Sequence, residues 1–239
     1  MFNWKKAYWL ATFETKRSLK GIISLFFLLI FFLFFFVFTA HLQHSLFPYD
    51  ILFLIAFGAA AVWSKPKEFQ YQKLGEELWA SPYFIMLHQL AVPKDILIKS
   101  RFINYYLFSI PFHILLLALL YIFSEPMRDF LTVGEYLSFS LIWICFGIYS
   151  GSLYPASDTG DVISNVKLVV YGIVLVFSGI LVVIGIRYFS GHGIVFWTMM
   201  AARNWPVLSG GLSIVLAIAG VKYWLHYAAK NMKRIDYLI

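Results

Sequence analysis

The sequence is poor in the residues from which soluble domains and catalytic centres are built. Only 13% of its 239 residues are charged, against 61% hydrophobic. Such a chain would not stay dispersed in water, which excludes an ordinary soluble domain. There is one cysteine, Cys145, and it falls inside an apolar run. A single thiol excludes an intramolecular disulfide and a cysteine-based zinc cluster. The phosphate-binding pattern G-x-x-x-x-G-K-[ST] is missing, so ATP hydrolysis is not expected of this chain alone. H-E-x-x-H, the two-histidine zinc pattern of metalloproteases, is missing as well. Strand-type alternation is absent, which argues against a β-barrel. Met1–Lys20 is too charged and aromatic for a cleavable leader, and the run after it lacks a small-residue cleavage site.

What the chain does have is length in its apolar runs. Several approach or exceed the roughly 18 residues of a membrane-spanning helix. The fold class expected is all-α: one polytopic membrane domain, 1–239, with six transmembrane helices. The spans are read as Gly21–Ala40, Leu46–Trp63, Phe102–Phe123, Tyr136–Tyr154, Leu168–Phe189 and Pro206–Leu225. Before them, Met1–Lys20 mixes Trp4, Tyr8, Trp9 and Phe13 with five basic residues, a composition suited to the headgroup layer. It is read as an interfacial helix. Ser190–Trp205, between spans five and six, is read as a short outer hairpin.

The formal charge is +7, from 19 Lys and Arg against 12 Asp and Glu. In a membrane protein this reads as basic loops facing anionic lipid, and no nucleic-acid partner is expected. Sixteen of the 19 basic residues fall in the N-terminal segment, the second and fourth loops and the tail, including Lys222 at the membrane edge. That asymmetry puts both termini and the long second loop in the cytoplasm.

The second loop, Ser64–Arg101, is the polar centre of the chain. Ser81-Pro82 reads as an N-cap followed by proline at the first helical position, where the missing N–H costs nothing. A short apolar helix over Tyr83–Leu90 is expected to follow. Pro93-Lys94-Asp95 then starts a helix able to run into span three. A helix jutting from the membrane domain is a handle for a soluble partner; a connector lying on the lipid surface is the plainer alternative.

Few polar groups fall within the spans. His113 is ionisable and intramembrane, which marks it as a possible polar site, although a neutral imidazole bonded to a neighbouring helix suffices. Pro111, two residues earlier, is able to free a backbone carbonyl for it. Gly147 and Gly151 form a G-x-x-x-G pattern in span four, suited to close helix packing, within the chain or against a second subunit. His41 and His44 read as an ordinary turn, and Asp158 and Asp161 as helix-capping turn chemistry. No metal site is expected.

The order of these features resembles the permease subunits of bacterial ATP-binding-cassette transporters of the type-2 exporter class. The likeness rests on the layout and on three stretches. Leu90-Ala91-Val92-Pro93-Lys94-Asp95 and the apolar residues after it resemble the turn that leads such a loop into span three, with valine before proline. Ser152–Asp158 resembles an aromatic-proline-polar turn after span four, and Ser190–Trp205 the outer hairpin. The resemblance implies a coupling helix that docks on a separate ATPase, with Phe84, Leu87, Leu90, Pro93, Lys94 and Asp95 closest to it. It implies two ATPases with two permeases, the second a copy or a paralogue. No cofactor is expected in this chain; ATP and Mg²⁺ would sit in the partner. The chain itself would not be an enzyme. The greasy, aromatic spans suit an amphipathic or hydrophobic cargo such as a peptide, lipid or drug. A stand-alone secondary transporter or channel, and a membrane-embedded enzyme of lipid metabolism, are the alternatives.

Overall fold

The computed structural model describes residues 2–40, 47–66, 69–75, 77–90 and 92–235. The turn containing His41 and His44, and the start proposed for span two at Leu46, lie outside these. Five helices are long and apolar enough to cross a membrane. They are α2 (Leu19–Ala40), α5 (Lys94–Phe123), α7 with α8 (Val133–Gly151 and Leu153–Ser157), α9 (Asn165–Ser190) and α11 (Pro206–Arg234). The protein is a multispanning helical membrane protein. Shorter helices complete it: α1 (Phe2–Arg17), α3 (Phe47–Gly58) with a 3-10 turn at Ala60–Ser64, α4 (Pro82–Gln89), α6 (Glu125–Phe130) and α10 (Ile194–Asn204). A small antiparallel sheet adds β1 (Gln72–Lys73), β2 (Leu78–Ala80) and β3 (Asp161–Val162), with β2 in the middle. These strands are too short for a period-two pattern to register.

The main core is aromatic. In α2, Leu25, Leu29, Phe32 and Phe36 point inward at helical spacing, while Phe27, Phe34 and Phe38 face outward. Phe36 meets Phe53 of α3 at 4.6 Å between ring centroids, and Phe53 meets Trp143 of α7 at 4.6 Å edge to face. Phe108, Phe112, Leu116 and Leu120 of α5 close the same cluster. In lipid such association comes from van der Waals fit and ring geometry rather than expulsion of water.

Alpha1 buries a face of small and polar residues, Ala7, Ala11 and Glu14, continued by Ser18 just past its end, and exposes Trp4, Tyr8, Trp9 and Phe13. The small face lets it lie along α5, where Asn104 donates to the Ala11 carbonyl at 3.3 Å and Asn3 to Asp95 at 3.2 Å. The aromatic side left outward is the one suited to headgroups.

Alpha9 differs from the rest. Val183 is its single buried residue, so this 26-residue apolar helix is almost wholly uncovered.

Two ends can be distinguished by contact. One gathers α1, the 3-10 turn, α4, the start of α5, α8, β3 and the end of α11. The opposite end gathers the start of α3, α6 and α10. There Asp50 accepts a hydrogen bond from the Val195 N–H at 3.0 Å and caps α10 from another helix. Arg187 lies 3.9 Å from the same carboxylate.

Candidate functional site

The long second loop is not free. The Ser81 N–H donates to the Asp158 carbonyl at 3.3 Å, and the Ile163 N–H to the Glu77 carbonyl at 2.8 Å. With the β2–β3 pairing, these bonds tie the loop to the segment after α8.

Ser81 and Pro82 begin α4 as the sequence predicts, although the Ser81 hydroxyl makes no capping bond. Alpha4 then buries Phe84, Ile85 and Leu87 against Leu97, Phe102, Ala156, Ala228 and Met232. This corrects the docking set. Phe84 and Leu87 are 0% and 5% exposed, so they anchor α4 to its own bundle and are not offered to a partner. The reason is geometric: residues 83–87 are apolar all round, and only the packed helix decides which side turns inward. Leu90, Pro93, Lys94 and Asp95 are exposed as expected, and Met86 and Gln89 join them. Asp95 is held by Lys99 at 2.6 Å, one turn on. Ala91 lies outside the described residues. Alpha5 starts at Lys94 and runs unbroken past Pro111 to Phe123.

Beneath α4 lies a charge cluster that sequence reading missed. Glu14 of α1 pairs with Arg101 of α5, each side chain 2% exposed. Lys65 pairs with Asp158, which closes α8. Arg101 also lies over the Tyr83 ring, 5.2 Å from its centroid. Four charges thus connect α1, the residue after the 3-10 turn, α5 and α8. Pairs this buried are stable only together, because either charge alone would be stranded in a poor solvent.

Asp161 stands apart from them. It accepts hydrogen bonds from Asn231 at 2.9 Å, Tyr227 at 3.1 Å and Tyr71 at 3.3 Å. Burial raises its pKa above the ordinary aspartate value, while the three donors pull it back. Burial and the neighbouring Asp161 also raise Tyr71. Asp158 ends α8 in the capping turn expected of it, whereas Asp161 lies in β3 and caps no helix. Ser164 caps α9 instead, accepting from the Lys167 N–H at 3.5 Å.

The glycine pattern packs inside the chain. A Cβ on Gly147 would overlap the His113 ring and approach the Phe57 carbonyl to 2.8 Å; one on Gly151 would overlap the Tyr105 phenol. Both glycines face α5, so they are not available to a second permease copy. His113 is itself fully buried, with the Phe57 ring 4.9 Å away. Neither of its ring nitrogens has a hydrogen-bond partner of good geometry among the described residues, although the Ala56 backbone is close. Ala56 belongs to α3, so the backbone nearest the imidazole is that of a neighbouring helix. Among the described residues no group of three or more His, Cys, Asp or Glu side chains is placed to hold a metal ion.

Comparison with protein-family models, with curated proteins and with solved structures returns no match to this chain.

Proposed function

We propose that this chain is the membrane-spanning subunit of an ATP-driven exporter, working with a separate ATPase. The observation that supports this reading most is the strip formed by Met86, Gln89, Leu90, Pro93 and Lys94. It lies on the outer side of α4 and the first turn of α5. Met86 and Leu90 are about half exposed, at 49% and 54%, in a polar loop outside the long apolar helices. Apolar anchors with a flanking cation are what a docked protein uses. The strip also continues directly into a 30-residue helix. Lys94, the first residue of α5, belongs to the strip, so a partner seated there acts on that helix directly.

The remaining features fit this reading. Alpha3 and its 3-10 turn, about 28 Å long at 1.5 and 2.0 Å per residue, supply a sixth crossing of a core about 30 Å thick. The end holding α1, α4 and the end of α11 is the basic one and faces the cytoplasm. Nucleotide and Mg²⁺ belong to the partner, and two permeases pair with two ATPases. Nucleotide binding shifts the pair between inward-closed and outward-open populations. A stand-alone transporter would need ionisable groups along a mid-membrane path, and His113 is sealed between α3 and α7.

The test is purification of the tagged chain from its native membrane. A P-loop ATPase should be recovered in equal amount, with activity that depends on this chain in lipid. Met86→Glu with Leu90→Glu should abolish recovery of the ATPase while leaving expression and unfolding temperature near wild type. Full recovery and stimulation by that double variant would reduce the loop to a connector.

A further inference from the structure

A cavity of about 560 Å³ opens at the basic end, between the 3-10 turn, α8 and the start of α9. Four aromatic side chains line it: Trp63, Tyr71, Tyr154 and Tyr171. Their ring faces carry partial negative charge. Leu168 and Leu175 of α9 supply an aliphatic wall. That helix is held by few neighbours, and Tyr171 and Leu175 are 62% and 63% exposed, so the cavity opens sideways along an apolar surface.

The polar groups of the cavity do not balance. Lys65 is matched by Asp158, and behind them Arg101 is matched by Glu14. Asp161 is matched by no cation among the described residues; its three partners, Tyr71, Tyr227 and Asn231, are neutral donors. Lys167, beside Leu168 in sequence, does not line the cavity. One excess negative charge therefore sits among four aromatic rings. A ligand that presents a phosphate or carboxylate to Asp161 would be repelled. A small metal ion would find one unpaired carboxylate where it needs several oxygen ligands. A cation with a large apolar body satisfies every wall: carboxylate and ring faces for its charge, leucines for its bulk.

We propose that this cavity binds a lipophilic organic cation. Binding follows from the cavity alone; that the bound cation is cargo rests on the export reading above. The two parts fail separately, because binding needs no ATPase. Two sources share this chemistry, a free lipophilic cation and the ammonium headgroup of a zwitterionic lipid.

Equilibrium dialysis of the purified protein in maltoside detergent, with radiolabelled tetraphenylphosphonium, tests the proposal. Saturable binding near one cation per chain is expected. Tetraphenylborate, the same shape with opposite charge, should not compete. Asp161→Asn should weaken binding about tenfold, the loss of one charge interaction in a partly wet site. Tyr171→Leu should weaken it several-fold and Tyr171→Phe should not, since the ring face is what the cation meets. Tyr171 is on an exposed helix, so this pair carries the test even if Asp161→Asn folds poorly. Competition by added phosphatidylethanolamine would assign the site to a lipid headgroup, and its absence to a free cation. The proposal is overturned by absence of saturable binding, by competition from tetraphenylborate, or by wild-type affinity in both Asp161→Asn and Tyr171→Leu.

Discussion

Gly151 and Tyr105 share one space: a Cβ on residue 151 would overlap the Tyr105 hydroxyl, so α7 can lie against α5 only because that atom is missing. Gly147 makes the same allowance for His113 four residues earlier. Gly147→Ala and Gly151→Ala should each destabilise the protein by about 1–3 kcal/mol, the usual cost of overpacking. Gly179→Ala and Gly185→Ala, on α9, meet nothing. They should be neutral or stabilise by up to about 1 kcal/mol through helix propensity. Thermal unfolding in detergent compares the four. Equal effects in both pairs would contradict the packing described.

The ion pair between Glu14 and Arg101 makes a second expectation. Glu14→Gln alone or Arg101→Met alone should cost about 3–5 kcal/mol, because each strands the other charge. The double variant should recover most of the loss. A double-mutant cycle on unfolding temperature reads this directly. Additive losses would mean that the two charges do not depend on each other.

Asp161 makes the stability of the protein depend on pH. Its pKa is raised in the folded state, from an ordinary value near 3.8. The folded protein therefore holds this proton more firmly than the unfolded chain. Ionised Asp161 is a net cost at neutral pH, and that cost disappears as pH falls through the raised pKa. Wild type should gain stability relative to Asp161→Asn as pH is lowered from 7 towards 4. Parallel curves for the two proteins across that range would exclude the effect.

The distribution of basic residues predicts an orientation that labelling can check. In a Cys145→Ala background, single cysteines at Asn3, Gln70 and Asn231 should be protected from an impermeant thiol reagent in intact cells. Cysteines at Asp129 and Gly191 should react. Strong labelling at position 70 would reverse the assignment of the long loop.

Much of the helical layout is written in local sequence. Ser81-Pro82 begins α4, and Pro93-Lys94 begins α5, because proline and the residues around it act within one turn of chain. The alternation of apolar runs with polar turns likewise marks α2, α9 and α11. A further local signal lies between α6 and α7. Thr132 and Glu135 have the spacing of a capping box, and the Glu135 carboxylate accepts from the Thr132 N–H at 2.8 Å. The candidate site was less legible. Glu14 and Arg101, or Lys65 and Asp158, are far apart in sequence and carry no periodic mark. The buried face of α1 is made of Ala7, Ala11 and Glu14, which give no hydrophobic signal. In α4, five consecutive apolar residues leave the inward side undefined until α5, α8 and α11 are in place.

The docking of α1 on α5 also sets an order of events during synthesis. Asn104, which holds the Ala11 carbonyl, comes 93 residues later in the chain. At ribosomal speeds of about 5–20 residues per second, α1 waits roughly 5–20 s for the helix it lies on. Throughout that interval Glu14 has no Arg101, and the exposed tryptophans of α1 have only the bilayer surface to rest on. The N-terminal helix is therefore expected to begin as a peripheral segment. It becomes part of the bundle only after α5 has been delivered, so a chain stalled before Arg101 should leave it on the membrane surface.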